Sequence, residues 1–332
     1  MNAAYINRYG GNEVIEIGDL PRPPIDPNDL LVQVKAASVN PIDFKIRGGQ
    51  TRLMLPYKFP LILGNDCAGV VAEVGAAVMR FKIGDAIFAR LEKNRIGAFA
   101  EYAVMSETAA AMKPRRLSFV EAASIPLVGL TSWQALLDVA GLKSGQKVLI
   151  HAGSGGVGTF AIQLAKHIGA TVATTVSARN IALAQRLGAD VIIDYHKQKF
   201  ENVVRDYDIV FDTLGGETQA RSFAVLKQGG ILITIYGVPT AKVGREWGLN
   251  SFVRAAMWFM NRRQFALAQR YAVRYEYLFM RPSGEQLNEI AVLLEAGKIV
   301  PVVDRVFPLA QARDALAYSE SGRAVGKIII TP

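Results

Sequence analysis

Residues 151–160, HAGSGGVGTF, hold four glycines in ten positions, between the apolar run KVLIHAG (147–153) and GTFAIQLAKHIGA (158–170), which has helical spacing. Glycine loses the most conformational freedom on folding, so this density marks a place where the backbone must be bare. Gly153, Gly155 and Gly158 fit G-x-G-x-x-G, directly after a buried strand and directly before a helix. In that context the first glycine allows a tight turn, the second admits a pyrophosphate to the backbone, and the third lets helix and strand pack closely. Amides at the helix start face the anion, aided by the helix dipole. A dinucleotide is the expected ligand. An NAD site places Asp or Glu about 20 residues on, at the end of the second strand. Here the chain reads TTVSARN, with Ser177, Ala178, Arg179 and Asn180 and no carboxylate. A hydroxyl and a guanidinium suit a 2′-phosphate through charge-assisted hydrogen bonds, so NADPH is the expected form.

Other chemistries find less support. The soft metal ligands are Cys67, His151, His167 and His196, which lie in dissimilar contexts, so no metal site is expected. Ser124, Ser132 and Ser154 have no arranged His and acid partners, which leaves acyl transfer unsupported. Hydride transfer remains, in which the cofactor carries the reaction and the protein places and polarises the acceptor. ASVNPIDFKIRGG (37–49) is the candidate for that task, with an Asn-Pro turn, a buried-looking Asp43, and Lys45 in an otherwise apolar run.

The elements around these residues alternate. Up to residue 120 the chain reads as short strands and turns: LLVQVKAAS (30–38), CAGVVAEVG (67–75), and RFKIGDAIFAR (80–90) as two strands about a Gly-Asp turn. From 121 helices enter with EAASIPLVGLTSWQALLDVAG. Strands and helices then follow in turn: TVATTVS, IALAQRLGA, DVIIDY, DIVFDTLGG, FAVLKQGG as a helix, and ILITIYG as a fifth strand. This rhythm predicts an α/β fold with right-handed crossovers and a doubly wound parallel sheet. VRYEYLFM (273–280) reads as a further strand, SGEQLNEIAVLLEAGK (283–298) as a helix capped by Ser283, and GKIIITP as a closing strand.

The bulk numbers suit a globular protein long enough for two domains. The chain has 332 residues and a net charge of +9, from 38 basic and 29 acidic residues. The bases are scattered, which suits an anionic cofactor and argues against a nucleic-acid partner. No apolar run reaches the roughly 18 residues of a membrane span. The opening MNAAYINRYGG lacks the basic start and apolar stretch of a secretion signal, and one cysteine forbids an internal disulfide. The cytoplasm is the expected location.

Several segments together resemble the zinc-free quinone oxidoreductases and alkenal/enone reductases (zeta-crystallin-like) of the medium-chain dehydrogenase/reductase superfamily. They are SVNPIDFKIRGG, PLILGNDCAGVVAEVG, PLVGLTSWQALL, AGSGGVG, SARN, LGADVIIDY and GRAVGKIII, spread over nearly the whole chain in family order. Most similar is the plant-type enone and chloroplast-envelope quinone oxidoreductase-like branch, which carries a lysine at the position of Lys45. The resemblance implies a GroES-like β domain (1–120, completed by 281–332) and a Rossmann NADP-binding domain (121–280). It also implies loss of zinc: relatives that use zinc have Cys at Asn40 and a His-Glu pair at Asn65-Asp66. By the same resemblance Gly155, Gly156 and Val157 line the pyrophosphate, Ser177, Arg179 and Asn180 hold the 2′-phosphate, and Tyr195 lies beside the adenosine. Thr131, Leu214, Tyr236 and Gly237 flank the nicotinamide end, Lys327 is a C-terminal cofactor contact, and Asn40 and Lys45 face the acceptor, with Lys45 also a cofactor contact. VRYEYLFM resembles the strand through which relatives pair as homodimers. The implied reaction is NADPH-dependent reduction of a quinone or of an enone C=C. The alternatives are a zinc-free alcohol or ketone oxidoreductase, and an NADPH-sensing or RNA-binding relative without turnover. Residues 238–272 depart from the pattern, being long, aromatic and basic. The family uses that region to wall the acceptor pocket, and an amphipathic membrane-surface helix is an alternative for FVRAAMWFMNRR.

Overall fold

A computed structural model describes residues 1–332. The chain forms two units, Met1–Leu130 with Arg281–Pro332, and Thr131–Met280. The helix Pro41–Arg47 interrupts the stretch up to 120 that reads as strands and turns. The change of rhythm at 121 marks the next helices, Phe119–Ala123 and Pro126–Trp133, and the division itself falls at Leu130.

The second unit is a parallel six-stranded sheet. In spatial order its strands are Val191–Asp194, Thr171–Val176, Lys147–Ile150, Tyr207–Asp212, Leu226–Thr234 and Arg274–Tyr277. The chain enters at Lys147–Ile150, winds to one edge, then returns to Tyr207–Asp212 and winds to the other. Ligands of such sheets bind at this reversal, outside the carboxyl ends of the strands. The central strands Thr171–Val176, Lys147–Ile150 and Tyr207–Asp212 are almost wholly buried, and Leu149, Ala173, Val210, Leu232, Phe200 and Phe223 share one core. FAVLKQGG, expected to be helical, is a single 3-10 turn, Phe223–Val225, followed directly by the strand Leu226–Thr234. The cause lies in pairing. Leu226 already lies opposite Tyr207, and a register shift near Gly229, with φ +79°, absorbs the extra residues. Residues 238–272 contain three helices, Ala241–Glu246, Ser251–Met260 and Arg262–Arg270.

The first unit is mainly β. Its larger sheet runs Val303–Pro308, Lys327–Thr331, Asp29–Val39, Asp66–Val74, Ala86–Arg90 and Ala110–Met112, with Tyr102–Ser106 also on Asp29–Val39. A smaller sheet joins Ile15–Asp19, Asn2–Ile6 and Leu61–Ile62. The expected hairpin at 80–90 has one strand only. Residues 82–85 are spent on a turn, in which Asp85 accepts the Lys82 N–H at 2.9 Å and Gly84 takes φ +92°. Ser283 caps Gly284–Glu295 by accepting the Gln286 N–H at 3.2 Å. Lys327–Thr331 pairs antiparallel with Asp29–Val39, Ile328 opposite Val39, which brings Lys327 beside Asn40.

Candidate active site

The glycine loop sorts its glycines by role. A Cβ on Gly158 would stand 2.3 Å from the Ala152 carbonyl oxygen and 2.7 Å from Gly153 Cα, both backbone atoms. One on Gly153 would stand 2.1 Å from Thr174 Oγ1, which is itself bonded to the Ile150 carbonyl. At Gly155 the nearest atom is the Ala152 oxygen at 3.3 Å, with nothing else close. The fold therefore requires Gly153 and Gly158, whereas Gly155 leaves bare backbone facing open space. Gly155 opens the helix Gly156–Ile168, and no side chain caps that end. Uncapped amides beside an open backbone fit a pyrophosphate.

The end of the second strand is tied to this loop. Asn180 is buried, and its amide donates to Ser154 Oγ at 2.9 Å and to Ser177 Oγ at 3.2 Å. Arg179 is exposed, Ser177 is half-buried, and the exposed Tyr195 ring packs 4.3 Å from His196. At the fourth strand Asp212 accepts the N–H groups of Leu214 and Gly215, the Gln219 amide and the Thr234 hydroxyl. This buried carboxylate fixes the loop that presents Leu214, and Thr234 carries the bond on to the Tyr236 N–H at 3.1 Å. Sequence reasoning missed Asp212; an Asp ending a strand before Thr-Leu-Gly-Gly is the signal that names it. Gly237 has φ +93°, and Thr131 is buried at the head of the unit.

His151 precedes the loop as a structural group. Its Nε2 lies 2.8 Å from Ser222 Oγ and Nδ1 3.2 Å from Thr175 Oγ1. Burial pushes its pKa down to about 4, from the usual 6.5. A depressed folded value makes a contribution that is full above pH 6.5 and lost as pH falls towards 4. In urea unfolding at several pH values, the stability advantage of wild type over His151→Gln should therefore shrink by up to about 3 kcal/mol on acidification across that window. A pH-independent difference would contradict this role.

In the first unit a separate polar cluster surrounds Asn40. Asn40 starts the helix Pro41–Arg47, and Asp43 closes the first turn by accepting the Asn40 N–H at 2.7 Å. The Asn40 side chain donates to Asp66 Oδ1 at 2.8 Å and to the Ser38 carbonyl at 3.1 Å, and accepts from the Lys327 ammonium. Asp66 also accepts from Ser38 Oγ at 2.6 Å and from the Leu127 N–H at 3.0 Å. Asp43 takes the Asn65 amide at 2.6 Å, and burial, helped by the Asp66 charge, raises its pKa to about 7. Burial lowers the pKa values of Lys327 and of the nearby buried Arg90. Lys45, half-buried on the last turn of Pro41–Arg47, is lowered by the same cause. Thus Asn40, Asp43 and Lys327 come together, and Lys45 shares their helix.

As metal donors these residues do not fit zinc. They offer two amides and carboxylates already engaged, with a fixed ammonium against Asn40. No grouping of three or more His, Cys, Asp or Glu able to hold a metal occurs.

Residues 26–115 match the alcohol dehydrogenase GroES-like domain, and residues 187–330 the family described as zinc-binding dehydrogenase. The chain is 36% identical to the mitochondrial NAD(P)H oxidoreductase RTN4IP1 of Danio rerio, over 100% of this chain and 91% of that protein. It is 33% identical to the chloroplastic NADPH-dependent alkenal/one oxidoreductase of Arabidopsis thaliana, over 100% and 80%. The quinone oxidoreductase from Coxiella burnetii superposes with a TM-score of 0.86 at 33% identity, covering 100% of this chain and 99% of that one. With a GroES-like unit, a six-stranded Rossmann sheet and full-length relatives of this kind, the chain belongs to the quinone oxidoreductase and alkenal/one oxidoreductase group of the medium-chain dehydrogenase/reductase superfamily.

Proposed function

We propose that the protein uses NADPH to reduce the electron-poor double bond of a quinone or of an α,β-unsaturated carbonyl, without zinc. One observation carries this reading: Ser177, the exposed Arg179 and Asn180 stand beside an open, uncapped glycine loop, where an NAD site would hold a carboxylate. Gly155, Gly156 and Val157 would line the pyrophosphate, Ser177, Arg179 and Asn180 the 2′-phosphate, and Tyr195 the adenosine. Thr131, Leu214, Tyr236 and Gly237 would hold the nicotinamide end. When bound, that nucleotide supplies the hydride. The acceptor class is that of the quinone and alkenal/one oxidoreductases to which the chain is similar.

The chain's part is to stabilise negative charge on the acceptor oxygen. Lys45 suits that task, because partial burial strips water from its ammonium and strengthens the hydrogen bonds that it donates. Asn40 is 1% exposed and its amide is engaged with Asp66, Ser38 and Lys327, so it acts by fixing the helix that carries Lys45. A homodimer through the sheet edge Arg274–Tyr277 belongs to the same reading.

The test is NADPH and NADH oxidation with quinones, 2-alkenals, enones and saturated ketones. Turnover is expected with the first three and a preference for NADPH. Arg179→Ala should lower kcat/KM for NADPH by about 10- to 100-fold, the worth of one charge-assisted contact, and leave NADH nearly unchanged. Prolonged treatment with a zinc chelator should leave the rate unaltered. Reduction of saturated ketones alone, or inactivation by the chelator, would overturn the reading.

A further inference from the structure

The helix Ser251–Met260 turns an apolar face away from the protein. Met257 is buried on its inner side. On the outer side Phe252, Ala255, Ala256 and Phe259 fall at i, i+3, i+4 and i+7, and all are exposed, Phe252 at 88% and Phe259 at 57%. Trp258 and Met260 flank them, each 58% exposed. A surface helix ordinarily shows the reverse arrangement, with its polar face to water. With Val253, five exposed large apolar side chains on ten residues mark a surface that something covers.

Charge indicates what that is. Residues 238–272 contain six basic side chains and a single acid, Glu246, so the excess is concentrated around this helix. Lys242 pairs with Glu276 and Arg263 with Glu217. Arg245, Arg254, Arg262 and Arg270 pair with no acid, and the Arg262 guanidinium lies 4.0 Å over the Phe259 ring, at the rim of the apolar stripe. A second copy of the chain would bring this positive rim against itself, which is unfavourable. An anionic lipid surface answers both features, with aromatic rings at the acyl boundary and arginines at the phosphates. The helix is about 15 Å long, so it lies in the interface, and no helix of the chain is long and apolar enough to cross a bilayer.

We propose that Ser251–Met260, with Arg254 and Arg262, is an interfacial helix through which the protein sits on negatively charged membranes. The test is flotation of the full chain with phosphatidylcholine vesicles, with and without about a third phosphatidylglycerol. Binding is expected to the anionic vesicles only, and to weaken as salt screens the arginines. Phe252→Glu with Phe259→Glu should weaken it by about tenfold or more, and so should Arg254→Glu with Arg262→Glu. All four sites are solvent-facing or nearly so, and circular dichroism checks that each variant folds. Brominated acyl chains should quench Trp258, and Trp258→Phe should abolish the bound-state quenching while binding persists. Absence of binding to anionic vesicles would overturn the proposal. So would a Phe252/Phe259 variant that binds vesicles like wild type but loses an oligomer by light scattering, because the face would then belong to a second copy.

Discussion

Alanine at Gly158 is expected to cripple the fold of the Rossmann unit, while alanine at Gly155, three residues away, leaves the fold intact and removes the nucleotide. The added methyl is the same; only its surroundings differ. At Gly158 it meets backbone at 2.3 and 2.7 Å, and the buried helix-to-strand crossing has no room to yield. Overpacking of this kind costs about 1–3 kcal/mol and more where backbone must move, enough to unfold a marginal domain. At Gly155 the single contact at 3.3 Å is tolerable, so thermal stability should change by less than about 1 kcal/mol. The methyl instead occupies the space into which a pyrophosphate settles. Calorimetric titration with NADPH should show affinity lost by about 100-fold, with the melting temperature of the free protein retained. Equal affinity in Gly155→Ala would remove the nucleotide from this loop.

Lys327→Met should produce the second large effect, and on stability rather than on affinity. The ammonium donates to the Val39 carbonyl at 3.1 Å and to the Asn40 amide oxygen, and it balances the charges of Asp66 and Asp43. Methionine keeps the volume but strands buried acceptors, and breaking such a buried network costs about 3–5 kcal/mol. Adding Asp66→Asn should restore part of the loss, since fewer charges then lack a partner, and a double-mutant cycle in urea measures that coupling. The family resemblance makes Lys327 a cofactor contact, which gives the opposite signature: unaltered unfolding and a raised NADPH dissociation constant.

These two residues also show what was legible in the sequence. The glycine spacing follows from local geometry, since turn, strand and helix lie within twenty residues, and the sheet rhythm around it is equally local. Ser177 and Arg179 are readable because they sit at a fixed distance along the chain from the loop. The cluster around Asn40 is not of that kind. Lys327 reaches it from 288 residues away, through the pairing of two antiparallel strands, and no periodicity in either segment announces the partner. FAVLKQGG misleads for a related reason: its helical composition yields to a neighbouring strand that claims Leu226 early. The outward face of Ser251–Met260 is written in the sequence as amphipathic spacing, but spacing alone does not say which side meets the protein.

The strand Lys327–Thr331 is flanked on both sides, by Val303–Pro308 and by Asp29–Val39. During synthesis, the nucleotide-binding unit, residues 131–280, emerges as one uninterrupted stretch and is free to condense early. Its companion must hold a gap in its larger sheet until the last of its strands leaves the ribosome. A stop codon just before residue 327 would therefore leave Val303–Pro308 with no partner strand and Asp29–Val39 with an unpaired edge. Such a product would be expected to go to proteolysis or aggregation, even with its Rossmann half already formed.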